Sequence, residues 1–149
     1  MTNLLSFLLF LAAVALVGAF GALFEPGPWY AALQKPVWTP PGWVFGPVWT
    51  VLYVLIAIAG WLVWRAEGMG AALAAWIVQL VFNGAWSFAM FGARQIGLAM
   101  IIIGVLWLAI VAFMVLARPV SRTATLLFAP YWAWVSYAAI LNLRIWQLN

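Results

Sequence analysis

A chain of 149 residues that is 70% hydrophobic and 5% charged, with a mean hydropathy of +1.17, cannot clothe itself in the polar surface a water-soluble domain needs. Its net charge of +4 comes from six basic residues scattered over the ends of apolar runs, against two acidic ones, and makes no nucleic-acid footprint. Cysteine and histidine are absent, which excludes disulfides, thiolate nucleophiles, imidazole bases and the commonest metal ligands.

Apolar runs of about 20 residues match an α-helix crossing a hydrocarbon core of roughly 30 Å, and their unbroken pattern excludes the alternation of a transmembrane barrel. The first run, Leu4–Phe24, is uncharged. Met1-Thr2-Asn3 lacks the positive n-region of a signal peptide and the run exceeds a usual h-region, so a retained span is expected. Ala12, Ala15, Gly18, Ala19 and Ala22 form a small-residue ridge, suited equally to close packing within the bundle or to a dimer interface. Six of the eight prolines then fall between Pro26 and Pro47, and four of the twelve tryptophans between Trp29 and Trp49. Such proline density opposes regular helix at the start of this stretch. It reads as an ordered Pro/Trp-rich cap, either a membrane-surface anchor or the lid of a site.

Further helices are expected over about Trp43–Trp64, Ala71–Phe91, Ile96–Leu116 and Arg122–Gln147, the last kinked at Pro130. Their short connections predict antiparallel packing of sequential neighbours. The fold class is therefore an all-α, five-helix membrane bundle in a single domain, residues 1–149, without linker or internal repeat. Lys35, Arg94 and Arg144 fall on one side of the membrane and Arg65, Arg118 and Arg122 on the other, so the positive-inside rule casts no vote.

Polar side chains inside spans cost free energy in hydrocarbon and point to the bundle interior. Gln79 and Asn83 share a face with Trp76 and Trp86; Tyr131, Trp134, Ala138 and Asn142 share another; Phe45, Trp49 and Tyr53 a third. Three aromatic faces with a few amides and hydroxyls suit a flat hydrophobic ligand. The plainer readings are that Trp61, Trp64 and Trp146 belong to the interfacial aromatic belt, that Asn83 is interhelical glue, and that Glu25 and Glu67 are solvated helix flanks. No phosphate loop, nucleophile–base pair, metal-ligand cluster or intramembrane acid is present in the sequence.

The run Trp29-Tyr30-x3-Gln34-Lys35-Pro36-x-Trp38-x-Pro40-Pro41-x-Trp43-x-Phe45 closely resembles the signature of the TspO/MBR family, the tryptophan-rich sensory and translocator (peripheral benzodiazepine receptor) proteins, in its bacterial form. The resemblance continues through Trp49-Thr50-x-Leu52-Tyr53, Gln79-Leu80-x2-Asn83-x2-Trp86, Pro130-Tyr131-x2-Trp134 and Leu141-Asn142. It implies a five-helix bundle, often a homodimer, in a bacterial cell envelope. It further implies a pocket beneath the first loop that takes protoporphyrin IX or haem as ligand and needs no obligatory cofactor. Carried over by position, that pocket contains Trp38, Trp43, Trp49, Tyr53, Asn83, Phe88, Trp134 and Ala138. Without His or Cys, haem would be held by stacking and shape. The departures are Phe88-Ala89-Met90-Phe91-Gly92, where the family often has paired phenylalanines, and the six residues between Tyr137 and Arg144, too many for the weak cholesterol pattern.

The expected function is a porphyrin-binding membrane sensor regulating tetrapyrrole handling or stress response. The alternatives are a light-dependent porphyrin-degrading enzyme, with Trp49 and Trp134 as photochemical candidates and no acid–base catalyst, and a porphyrin or sterol transporter. The expected partners are porphyrin, the bilayer and a second copy of the chain.

Overall fold

The computed structural model describes residues 2–149. Helix α1 (Asn3–Ala22) starts where the Thr2 hydroxyl accepts the Leu5 amide at 3.2 Å, a conventional N-cap. The short α2 (Gly27–Ala32) comes next, then the long α3 (Gly42–Glu67), α4 (Ala71–Ser87), α5 (Ile96–Ala117) and α6 (Arg122–Leu148). Gly68, at φ 70°, closes α3 in a conformation open to glycine, and the Ser121 hydroxyl caps α6 by accepting the Ala124 amide at 3.2 Å. Among the described residues five helical segments are long and apolar enough to span a membrane, as expected.

Two local features depart from the sequence reading. The proline-rich segment contains regular helix, in the form of α2. Pro26 and Pro28 sit at its start, where a missing amide N–H breaks no helical bond. Helix α4 does not run evenly to Phe91 but passes into a π turn over Phe88–Gly92, with the Ala93 amide bonded to the Phe88 carbonyl at 2.7 Å. Helix α6 is continuous through Pro130.

The spans close into a ring in the order α1, α3, α6, α5, α4. Helix α3 packs chiefly on α1 and α6 and only lightly on its successor α4. Trp76 of α4 bridges the two and donates to the Ile56 carbonyl of α3 at 2.9 Å. Three other indoles also bridge helices: Trp61 donates to Ser6 at 3.0 Å, Trp86 to Asn142 at 3.0 Å, and Trp107 to Ser136 at 2.8 Å. Trp61, expected as a belt residue, is thus tied to α1 as well, with Arg65 over its ring. Phe113 and Phe128, with ring centroids 4.0 Å apart, join α5 to α6 in the core.

Gly60 lies against the Trp76 indole so closely that an added Cβ would overlap the ring. Gly60→Ala should therefore displace Trp76 and cost about 1–3 kcal/mol, the usual range for overpacking. Gly104→Ala, which faces open space, should be neutral or gain about 0.5–1 kcal/mol of helix propensity. Unfolding of both variants in mild detergent, followed by circular dichroism, checks the contrast.

Candidate functional site: a cavity beneath the first loop

A cavity of about 690 Å³ opens at the end of the bundle where α1, α4 and α6 finish and α3 begins. Its volume lies within the range of small-molecule sites, roughly 300–1,000 Å³. Trp49, Tyr53, Trp86, Phe91 and Tyr30 supply aromatic wall, while Gly18 and Gly21 make room on the α1 side. An added Cβ on Gly18 would stand 3.1 Å from the Tyr53 ring, so the small-residue ridge of α1 serves the interior at this position. Ala12, Ala15 and Ala19 of the same ridge are exposed outside the cavity, and Ala22, also exposed, lines its rim.

Trp49, Tyr53 and Ala138 line this cavity together. Asn83 stands one layer further in, lining a void of about 20 Å³ that shares Trp49, Trp86, Ser87 and Ala138 with the cavity. The remaining four sequence candidates lie outside the cavity lining. Trp134 lines a separate apolar groove with Pro40, Val48 and Tyr137, and its ring meets Phe45 at 5.9 Å. Trp38 packs on Tyr137 at 5.6 Å and Trp43 is 76% exposed at the head of α3. Phe88 packs outward on Phe24 at 5.5 Å, whereas the π turn brings Met90 and Phe91 to the wall. Tyr30, Trp86, Phe91, Asn142 and Glu25 are cavity residues absent from the sequence-derived set. Trp86 and Asn142 had a signal, since each lies on a polar-aromatic helical stripe; for Phe91 the signal was the departure of Phe88–Gly92 from the family pattern, although α-helical periodicity does not foresee a π turn.

Behind the wall runs a chain of hydrogen bonds through the bundle centre. The Tyr53 hydroxyl donates to Asn83 Oδ1 at 3.0 Å, Asn83 Nδ2 donates to the Tyr131 hydroxyl at 2.8 Å, and Tyr131 donates to Gln79 Oε1 at 2.9 Å. Gln79, Asn83 and Tyr131 are all buried, and Gln79 Nε2 has no partner among the described residues. Asn142 receives the Trp86 indole and donates to the Ile96 carbonyl at 3.2 Å, joining α4, α6 and the start of α5.

The residues above the cavity are held by contacts reaching far along the chain. Lys35 Nζ donates to the carbonyls of Tyr30 (2.7 Å), Leu33 (3.1 Å) and Ala31 (3.4 Å), neutralising the C-terminal end of α2. The Tyr137 hydroxyl donates to the Trp38 carbonyl, and Asn149 exchanges two hydrogen bonds with the Gln34 backbone, at 3.0 and 2.8 Å.

The profile of the TspO/MBR family matches residues 8–147 of this chain. The chain belongs to the TspO/MBR family. It is 41% identical over 143 residues to a tryptophan-rich sensory protein of Cereibacter sphaeroides, covering 96% of this chain and 90% of that one. Protein CrtK of Rhodobacter capsulatus is 38% identical over 154 residues, covering 99% and 94%. The translocator protein of Homo sapiens is 40% identical over 126 residues, covering 81% and 75%. Five apolar spans together with membership of the TspO/MBR family make it an integral, multi-pass membrane protein of the sensory and translocator type.

Among the described residues of this TspO/MBR protein no three metal-ligating side chains come together. The rings, hydroxyls and amide that line the cavity make the candidate site a stacking and hydrogen-bonding surface. Asn83→Ala would leave the Tyr53 hydroxyl without its acceptor, while Tyr131 keeps its bond to Gln79, and should destabilise the protein by about 1–3 kcal/mol, more than the roughly 0.6 kcal/mol typical of one interhelical bond in a membrane. A double-mutant cycle with Tyr53→Phe should show coupling of at least about 0.5 kcal/mol by chemical unfolding.

Outside the spans, burial raises the Tyr30 phenol above its ordinary value of 10.0. A raised folded-state value means the folded protein holds that proton more tightly. Its contribution is therefore intact below pH 10 and is lost as the pH climbs through the higher folded value. Ultraviolet titration should show Tyr30 ionising late in the native protein, and at the ordinary value once α2 is unfolded.

Proposed function

We propose that this protein is a membrane sensor that binds a porphyrin, protoporphyrin IX or haem, in the cavity under its first loop, and that occupancy regulates tetrapyrrole handling or a stress response. The observation that carries the reading is the 690 Å³ cavity walled by Trp49, Tyr53, Trp86, Phe91 and Tyr30. Flat aromatic walls favour flat aromatic ligands through offset stacking and the removal of apolar area from water. Membership of a family that includes a tryptophan-rich sensory protein supports the regulatory role. Haem fits the same reading without His or Cys ligation, held by ring faces. The exposed alanines of α1 outside the cavity, Ala12, Ala15 and Ala19, support a homodimer built on that face.

A second reading is light-dependent porphyrin degradation. Trp49 favours it: this indole lines the cavity and lies 5.4 Å from Tyr53 and 6.2 Å from Tyr131, a short series of oxidisable rings leading inward from a bound ligand. Absorbing products formed only in light, and lost in Trp49→Phe, would support it. Bleaching at an equal rate in both proteins would reject it.

The deciding experiment is a protoporphyrin IX titration in lipid nanodiscs, read by quenching of tryptophan fluorescence. The native protein should saturate near one porphyrin per chain. Ala138→Phe, which fills cavity space from α6, should weaken binding at least about tenfold, consistent with the cost of forcing a ring into occupied space. Non-saturating quenching, identical in both proteins, would mean that porphyrin merely partitions into lipid.

A further inference from the structure

The cavity is built for aromatic surface, yet its charge is one-sided. Glu25, in the connection between α1 and α2, is the one charged side chain among the described residues that line it. Every basic residue of this end of the bundle is engaged elsewhere. Lys35 Nζ is spent on three carbonyls and the face of Tyr30, 4.7 Å away. The Arg94 guanidinium lies over Trp29 at 6.0 Å, and Arg144 bonds Gln147 at 3.3 Å. Of the five helix termini that meet at the cavity, those of α1, α4 and α6 are C-terminal and carry the negative end of the helix dipole, against the N-termini of the short α2 and of α3.

From this arrangement we infer that Glu25 is a specificity-determining residue that ranks planar ligands by charge: cationic above neutral, and neutral above carboxylate-bearing. The inference rests on the cavity being a ligand site, as proposed above, but not on the ligand being a porphyrin. A carboxylate on a ligand meets Glu25 without a lining cation to compensate it. An ammonium, or a ring N–H donor, meets an acceptor. For porphyrins, the consequence is that masking the two carboxylates as esters strengthens binding. Glu25 is exposed, so the interaction is partly screened and should fade as salt rises.

The test compares native protein with Glu25→Gln, an isosteric change at an exposed position, in nanodiscs of zwitterionic lipid. Three probes share one flat skeleton: pyrenemethylammonium, pyrenemethanol and pyrenecarboxylate. In the native protein affinity should fall in that order. Glu25→Gln should weaken the ammonium and strengthen the carboxylate, each by about two- to fivefold, while leaving the alcohol unchanged, in line with exposed ion pairs. Partitioning of each probe into lipid cancels in the comparison between the two proteins.

Protoporphyrin IX and its dimethyl ester run alongside, and Glu25→Gln should shrink the advantage of the ester by a similar factor. Equal shifts for all three pyrene probes, or no shift at all, overturn the inference. So does the absence of saturable binding by every probe. Correct ordering of the pyrenes with no saturable porphyrin binding would sustain the charge filter and overturn the porphyrin reading.

Discussion

A run of four polar side chains, three of them buried, constrains everything else in this bundle. Tyr53, Asn83, Tyr131 and Gln79 come from α3, α4 and α6, and hydrocarbon offers none of them a substitute partner. The three helices can satisfy these groups only at one relative height and rotation. Packing between apolar helix faces in lipid specifies register poorly, since lipid tails are as apolar as the side chains they replace. The polar run supplies the register, and the cavity lies directly on its outer end, with Tyr53 belonging to both.

The high tryptophan content has an architectural meaning of the same kind. The indoles of Trp61, Trp76, Trp86 and Trp107 each donate a hydrogen bond across a helix boundary, and together they connect α1 to α3, α3 to α4, α4 to α6 and α5 to α6. Each therefore contributes a large apolar body for packing and a single donor for orientation. Helix α1 depends on few such ties and lies at the edge of the cavity, where glycines rather than rings face inward.

Much of this was legible in the chain because helical periodicity is reliable over long apolar runs. Helix number and the inward faces at Asn83, Trp49, Tyr53 and Ala138 follow from residue spacing, and the motifs in those faces carry the family assignment. The position of Trp134 does not follow: it shares a face with Ala138 one turn later, but the cavity ends between them, at a depth that spacing along one helix does not encode. Phe91 takes the place on the wall expected of Phe88 because five residues, not four, close the turn that carries them. Glu25 reads as a flank from its place at a span end. Only the path of the connection into α2 turns it toward the cavity, and connections have no period from which to infer a direction.

The π turn over Phe88–Gly92 has a further consequence for how this wall can change. An α-helix advances about 100° per residue, so a chain shortened by one residue there would close as an ordinary turn and rotate the residues beyond it by roughly that angle. Phe91, now 5.5 Å from Tyr30 and 5.6 Å from Trp86, would be carried off the wall with no alteration to any residue of the polar run behind it. Ligand preference at this site is thus open to revision by length as well as by substitution.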